Sequence, residues 1–235
     1  MDVKDIDELT IRIVSVNNLP AERAASQIGL RILPQDEYES IQSVMENGLQ
    51  TANLQLYDIR FEQGKNLLKG YSGSTYAAIP YGVTHIGYSS GLREKGLTSV
   101  KIPSSVTIIA EIAFWKNLLT SVTIPDSVTY IGDTVFFSNR LTSVFLGNSV
   151  TYIGDSAFNM NNSLSSVTIP DSVTYLGDSV FDGNLKSITI GANVQTGRYY
   201  SFGKDIYGDA YTKNNRKAGT YTSTDGKNWN YSARR

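Results

Sequence analysis

The chain has 235 residues, of which 40% are hydrophobic and 18% charged, a globular composition rather than a disordered or membrane-embedded one. It has no cysteine and a single histidine, His85, which excludes disulfides, thiolate catalysis and zinc sites built from Cys and His clusters. The net charge of −1 divides into −5 over residues 1–56, −1 over residues 57–190 and +5 over residues 191–235, with no basic stripe along the middle, so nucleic acid is not an expected partner.

The opening "MDVKDIDELT" lacks the basic-then-apolar pattern of a signal peptide, so any export signal is expected to be absent or already removed. No run of about 18 apolar residues occurs, and no membrane span is expected. Within residues 1–56, "LTIRIVSV" and "LQLYDI" read as strands, while "PQDEYESIQSVMENG" has a helix start and a glycine stop. This part is expected to form a small accessory domain, β-rich or α+β. Residues 57–96 are expected to form an N-terminal cap and first irregular repeat.

A repeat occupies residues 97–204. The string "SVTIPDSVTY" stands unaltered at residues 121–130 and 166–175. Units begin at Leu97, Leu119, Leu141, Leu164 and Leu185, with spacings of 22, 22, 23 and 21 residues. Such a period sits within the leucine-rich repeat range, where each unit is one coil of a solenoid, so a mainly β fold is expected. Leu-x-x-Val-x-Ile alternates as a half-buried strand does, and a second apolar pair (Val106 and Ile109, then Val128 and Ile131) follows in each coil. Phe114, Phe136, Phe158, Phe181 and Phe202 close the coils. Pro103, Pro125 and Pro170 are expected to end the first strand, and Gly132, Gly154 and Gly177 to supply permissive backbone after the second. Asp133, Asp155 and Asp178 suit the N-cap of a short helical turn. One coil cannot bury its apolar residues alone, so the repetition is first a packing requirement.

Residues 205–235 are expected to cap the open end of the stack. Ile206, Tyr207, Ala210 and Tyr211 lie at helical spacing behind Asp205, and a hairpin is expected around Asp225 and Gly226, with Tyr221 and Trp229 over the last coil.

Units such as "LTSVTIPDSVTYIGDTVF" resemble the BspA-like leucine-rich repeat family of bacterial surface proteins, over about residues 57–235. "FEQGKNLLKGYSGSTYAAIPYGVTHIG" looks like the family's opening repeat, departing from it at Gly91, where the Phe column should begin. "NNRKAGTYTSTDGKNWNYS" is similar to the end of spirochaete, Treponema-like members. The resemblance implies an exported protein at the cell surface or outside the cell, adhesin-like, that binds host or neighbouring-cell proteins.

Candidate chemistry is sparse. "GDS" at residues 154–156 and 177–179 sits in the repeat register, and a serine nucleophile needs a base that only His85 could provide, so the chain is read as non-catalytic and without cofactors. A glycosidase on this scaffold would need Asp133 and Asp155 as its carboxyl pair, which nothing else supports. Glu111, Asp133, Asp155 and Asp178 share one register and could line up for calcium, but caps explain them without metal and neighbouring ligand loops are missing, so no metal site is assigned. Tyr130, Tyr152 and Tyr175 form a column, with Ile108 before it and Thr196 after, read as structural stacking. Asn117, Asn139, Asn161 and Asn184 form another, read as satisfying loop backbone. The irregular positions carry the functional signal. Phe145 stands where Lys101, Thr123, Thr168 and Thr189 stand in other coils, and Trp115 and Phe137 stand where later coils have Asn159 and Asp182. Large apolar side chains at positions elsewhere polar mark Phe145, Trp115 and Phe137, with Lys101 beside them, as a candidate protein-binding patch on a monomer. The alternative is a rigid spacer that self-assembles through its ends.

Overall fold

A computed structural model describes residues 9–16, 31–32, 54–62, 65–72, 75–181, 184–197, 210–211, 213–224 and 228–234. At the N-terminal end, strands β1 (Leu9–Val16), β2 (Arg31–Ile32), β3 (Leu54–Glu62) and β4 (Lys65–Ser72) pair antiparallel in the order β2-β1-β3-β4. The expected boundary at residue 56 falls inside β3. The helix expected over residues 34–48 lies outside the described residues.

Each coil then contributes two short strands. The first series is β5 (Tyr76–Ala78), β7 (Ser99–Lys101), β9 (Ser121–Thr123), β11 (Ser143–Phe145), β13 (Ser166–Thr168) and β15 (Ser187–Ile190). The second is β6 (His85–Ile86), β8 (Ile108–Ile109), β10 (Tyr130–Ile131), β12 (Tyr152–Ile153), β14 (Tyr175–Leu176) and β16 (Gln195–Thr196). The second series forms one parallel ladder, and β4 pairs parallel with β6, so the N-terminal strands extend it into a ten-stranded sheet. The first series is broken into β5-β7, β9-β11 and a four-stranded sheet, β13-β15-β17-β18, completed by β17 (Gly219–Thr222) and β18 (Asn230–Ala233).

The apolar columns fill the space between the two series. Leu97, Leu119, Leu141, Leu164 and Leu185 are buried, as are the Val and Ile residues of both strands, with Val100 and Leu146 half-buried against them. Phe114, Phe136, Phe158 and Phe181 are buried completely, with ring centroids 5.2, 5.3 and 5.5 Å apart and nearly parallel planes. Phe202 lies outside the described residues. Leu92, not Gly91, heads this column: one extra residue lies between His85 and its partner Ile108, and Leu92 takes the buried place. At Gly91 the backbone is left-handed (φ 71°), and a Cβ there would meet the Tyr71 nitrogen at 2.8 Å.

The polar letters of the repeat are hydrogen bonds between coils. Ser105, Ser127 and Ser172 donate through Oγ to Val83, Val106 and Val150 of the preceding coil. Thr107, Thr129, Thr151 and Thr174 donate in the same sense to the preceding threonine-register carbonyl. The buried amide of Asn139 accepts from the Leu119 N–H (3.2 Å) and donates to the Phe114 and Phe136 carbonyls (both 3.0 Å), and Asn117 and Asn161 repeat the pattern. Asn184 is exposed instead. The preceding coil is longer by one residue, and the Leu164 N–H that follows it bonds back to the Asn161 carbonyl, leaving no leucine N–H for a fourth member.

Two expected roles differ. Gly132, Gly154 and Gly177 are not at positive φ; they are needed for close approach. A Cβ on Gly154 would collide with the Asp133 carboxylate and lie 2.7 Å from its nitrogen, and Gly177 meets Asp155 likewise. Nor does Asp133 cap a helical turn of its own coil: the next residue, Thr134, is left-handed (φ 53°), as are Ile112, Ser156 and Ser179. The Asp133 Oδ1 accepts the Asp155 N–H of the following coil at 2.9 Å, and Asp155 accepts that of Asp178 at 2.7 Å. In the last coil "VTYLG" shortens to "VQTG", so Gln195, not Thr196, follows Tyr175 in the second ladder.

The C-terminal segment covers the final coil. Residues 210, 211 and 213 have helical backbone, and β17 pairs antiparallel with both β15 and β18. Tyr211 is buried, donating its hydroxyl to the Gly191 carbonyl and accepting from the Val194 N–H; Tyr221 packs edge-on to it, and Trp229 packs half-buried against the same core. Asp205, Ile206, Tyr207, Asp225 and Gly226 lie outside the described residues. Because Phe158 is sandwiched between two rings, Phe158→Ala is expected to cost about 3–5 kcal/mol. Denaturant melts measure this, and a loss under about 1 kcal/mol would contradict its central place in the stack.

Candidate binding face

The first-series strands alternate, so one set of side chains enters the core and the other projects outward. Val122, Val144, Val167 and Ile188 point in. The outward pairs are Ser99 and Lys101, Ser121 and Thr123, Ser143 and Phe145, Ser166 and Thr168, Ser187 and Thr189. Lys101 closes β7 and is exposed, and Phe145 closes β11 beside Thr123 with 63% of its surface exposed. Lys101 and Phe145 therefore belong to one outward row, with Thr123 in the coil between them.

Phe145 also walls a groove of about 570 Å³ whose other sides come from β11, β13, β15 and the C-terminal end. Ser166, Thr168 and Thr189 lie on its floor, and Asp171 and Arg234 form an ion pair at its rim. Asp171, Arg234 and this floor went unnoticed in the sequence; the pair joins residues 63 apart, which no local pattern signals.

Trp115 and Phe137 are on the turns that follow the buried Phe114 and Phe136, in equivalent positions of adjacent coils. The Lys116 N–H donates to the Phe137 carbonyl at 2.9 Å. Both side chains are half-buried. The Lys116 ammonium sits 4.1 Å from the Trp115 ring centre and 3.9 Å from Glu94, so one face of the indole is covered from within the chain. Neither residue lines the groove beside Phe145.

The second ladder presents a different surface. Tyr130, Tyr152 and Tyr175 stack half-buried with centroids 4.7 and 4.9 Å apart. Burial pushes the Tyr152 phenol up to about 12, with Tyr130, Asp133, Tyr175 and Asp155 adding to it. Tyr130 and Tyr175 shift upward for the same first reason, reinforced by the acidic row. Among the described residues, no three His, Asp or Glu side chains group so as to hold a metal ion. His85 lies on β6, with its Nδ1 2.8 Å from the Thr84 hydroxyl, and its pKa is lowered by burial and by Lys65. Three strand spacings of about 4.8 Å separate β6 from β12, which leads into Ser156, so His85 is out of reach as its base.

These coils have measured counterparts. Residues 84–207, over half of the chain, match the BspA type leucine-rich repeat region in six copies. The chain belongs to the BspA-type leucine-rich repeat family. A leucine-rich cell surface protein of Faecalibacterium prausnitzii is 29% identical, with a TM-score of 0.55 over 63% of this chain and 44% of that one. This BspA-type chain thus spans less than half of that protein's length. A leucine-rich repeat protein of T. pallidum is 26% identical over 57% of this chain and 78% of its own, with a TM-score of 0.45. No curated protein sequence matches. Among the described residues of this BspA-type chain, no helix is long and apolar enough to cross a membrane.

Two measurements probe the acid and tyrosine rows. An unfolded chain releases the Tyr152 proton near the ordinary value of 10, whereas the folded chain keeps it to about 12. Stability is therefore full below pH 10, falls as pH rises through that window and levels off above it. Tyr152→Phe should flatten part of this alkaline loss in thermal melts, and Asp133→Asn should lower the Tyr152 pKa in ultraviolet titration. Calcium and chelator should leave the melting temperature unchanged; an ion bound at a hundred times its dissociation constant would add about 2.7 kcal/mol.

Proposed function

We propose that this chain is a non-catalytic protein-binding module, exported and displayed at a bacterial surface or secreted, with an adhesin-like role toward host or neighbouring-cell proteins. Phe145 carries the reading: a phenyl ring left in solvent on a strand face whose other outward positions from β7 to β15 hold Ser, Thr or Lys. Burying such a ring against a partner is favourable, and framing it with small side chains leaves it accessible. Trp115 and Phe137 supply further apolar area on adjacent coils, with Lys101 as a charged neighbour. Membership of the BspA-type family and similarity to a cell surface protein of Faecalibacterium prausnitzii support this use. In this reading residues 1–56 form an accessory domain, 57–96 the N-terminal cap and first irregular repeat, 97–204 the recognition solenoid and 205–235 its C-terminal cap. The competing reading, a self-assembling spacer, draws on β18, which edges its sheet with all four residues exposed.

Light scattering during size-exclusion chromatography separates the two readings. A monomer at all concentrations supports binding, and end-to-end dimers or filaments support assembly. With a partner protein recovered by pull-down, Phe145→Ser combined with Trp115→Ser should weaken binding by about 2 kcal/mol or more while the fold persists. Unchanged affinity in the folded double variant would remove the site from this face.

A further inference from the structure

The groove beside Phe145 has chemistry that the protein-docking reading does not use. It opens over one of the two places where the first-series sheet breaks, the one between β11 and β13. Its size, about 570 Å³, is within the range of ligand sites. Its floor is a grid of short hydroxyl side chains in register: Ser166 beside Ser187, and Thr168 beside Thr189. Thr189 is held by a 2.9 Å hydrogen bond to the Thr220 hydroxyl, which orients that part of the floor. One wall is the exposed ring of Phe145. Among the described residues, the charged lining groups are Asp171 and Arg234, which stand at the rim and pair with each other.

We infer that this groove is a subsite for a neutral oligosaccharide. A pyranose has an apolar C–H face, which an exposed aromatic ring accepts, and an edge of hydroxyls that both donate and accept. A carboxylate beside a guanidinium meets that edge with both polarities, through hydrogen bonds stronger than neutral ones. The serine and threonine hydroxyls add donors and acceptors beside the apolar lining of Val144, Leu146 and Pro170. An apolar peptide anchor would cover the Ser166, Thr168 and Ser187 hydroxyls without pairing them, and a charged ligand would meet an ion pair that is already balanced. The inference shares only Phe145 with the protein-docking reading.

The test uses the full chain on a printed array of neutral hexose and N-acetylhexosamine oligosaccharides, with sialylated and sulfated glycans and acidic and basic peptides alongside. Titration calorimetry then follows with the neutral oligosaccharide bound best. Neutral oligosaccharides should bind in preference to the charged probes. Phe145→Ala, Asp171→Ala and the nearly isosteric Thr168→Val should each weaken that binding, the first two by about tenfold or more. Trp115→Ser should not change it. Circular dichroism melts establish that each variant is folded, and Thr168→Val serves if Asp171→Ala is not. No binding of neutral oligosaccharides at millimolar concentration, preference for a charged glycan or peptide, or indifference to all three substitutions would overturn the inference. A blank array with a protein partner that still needs Phe145 and Trp115 removes the glycan site alone. Oligosaccharide binding beside a protein partner indifferent to both removes the docking face alone.

Discussion

The carboxamide of Asn139 lies inside the protein, accepting from Leu119 at the start of its own coil and donating to Phe136 and to Phe114 of the coil before. A slip of one residue between coils would leave this group and its counterparts unpaired, at about 1–3 kcal/mol each. The same slip would turn buried valines outward. Coil-to-coil register is thus the constraint on which the stacked phenylalanines, the tyrosine column and both ladders depend. It also explains why "PDSVTYIGD" is copied with so little change. Asp, Ser and Thr each bond to an adjacent coil, Val and Ile fill the core, Tyr stacks, and Gly makes room for the preceding aspartate.

Because the framework is held by these letters, the outward positions of the first strand carry little structural duty, Thr189 with its bond to Thr220 excepted. Lys101, Thr123, Phe145, Thr168 and Thr189 occupy equivalent places, and the backbone pairing beneath them continues whichever side chain is present. Recognition can therefore vary from coil to coil without disturbing the stack. The second ladder offers no such freedom. Its outward tyrosines stack on one another, and the aspartates that raise their pKa also hold the next coil's backbone.

Periodicity made the strands, the core columns and the coil length legible, since each follows from an apolar letter recurring about every 22 residues. The misreadings have two physical sources. Single-residue changes in coil length displaced the count: Leu92 replaces Gly91 at the head of the phenylalanine column, Asn184 leaves the asparagine column, and Gln195 takes the place given to Thr196. The second source is that one letter can serve two geometries. Glycine serves equally for a left-handed backbone and for close approach, and only coordinates reveal that Gly154 must avoid Asp133. Aspartate likewise caps a neighbouring coil as readily as its own. Of the candidate site, Phe145 was legible because it breaks a column of small polar residues. Asp171 and Arg234 were not, because folding alone brings them together.

A perfectly regular solenoid would present the same surface at every coil and distinguish no position along its length. Here several departures fall together beside the groove. The coil from Leu141 to Leu164 is the 23-residue one. The Leu164 N–H that follows it turns back to Asn161, the first-series ladder, already interrupted between β7 and β9, stops again between β11 and β13, and the groove opens over that second break. Phe145 stands on the near side and the terminal Arg234 reaches in from the far side. Relaxing register at one step costs little when the second ladder continues unbroken through β12 and β14. The chain thus keeps a continuous sheet on one side to hold the stack, which leaves the other side able to interrupt its own and form a concave polar site.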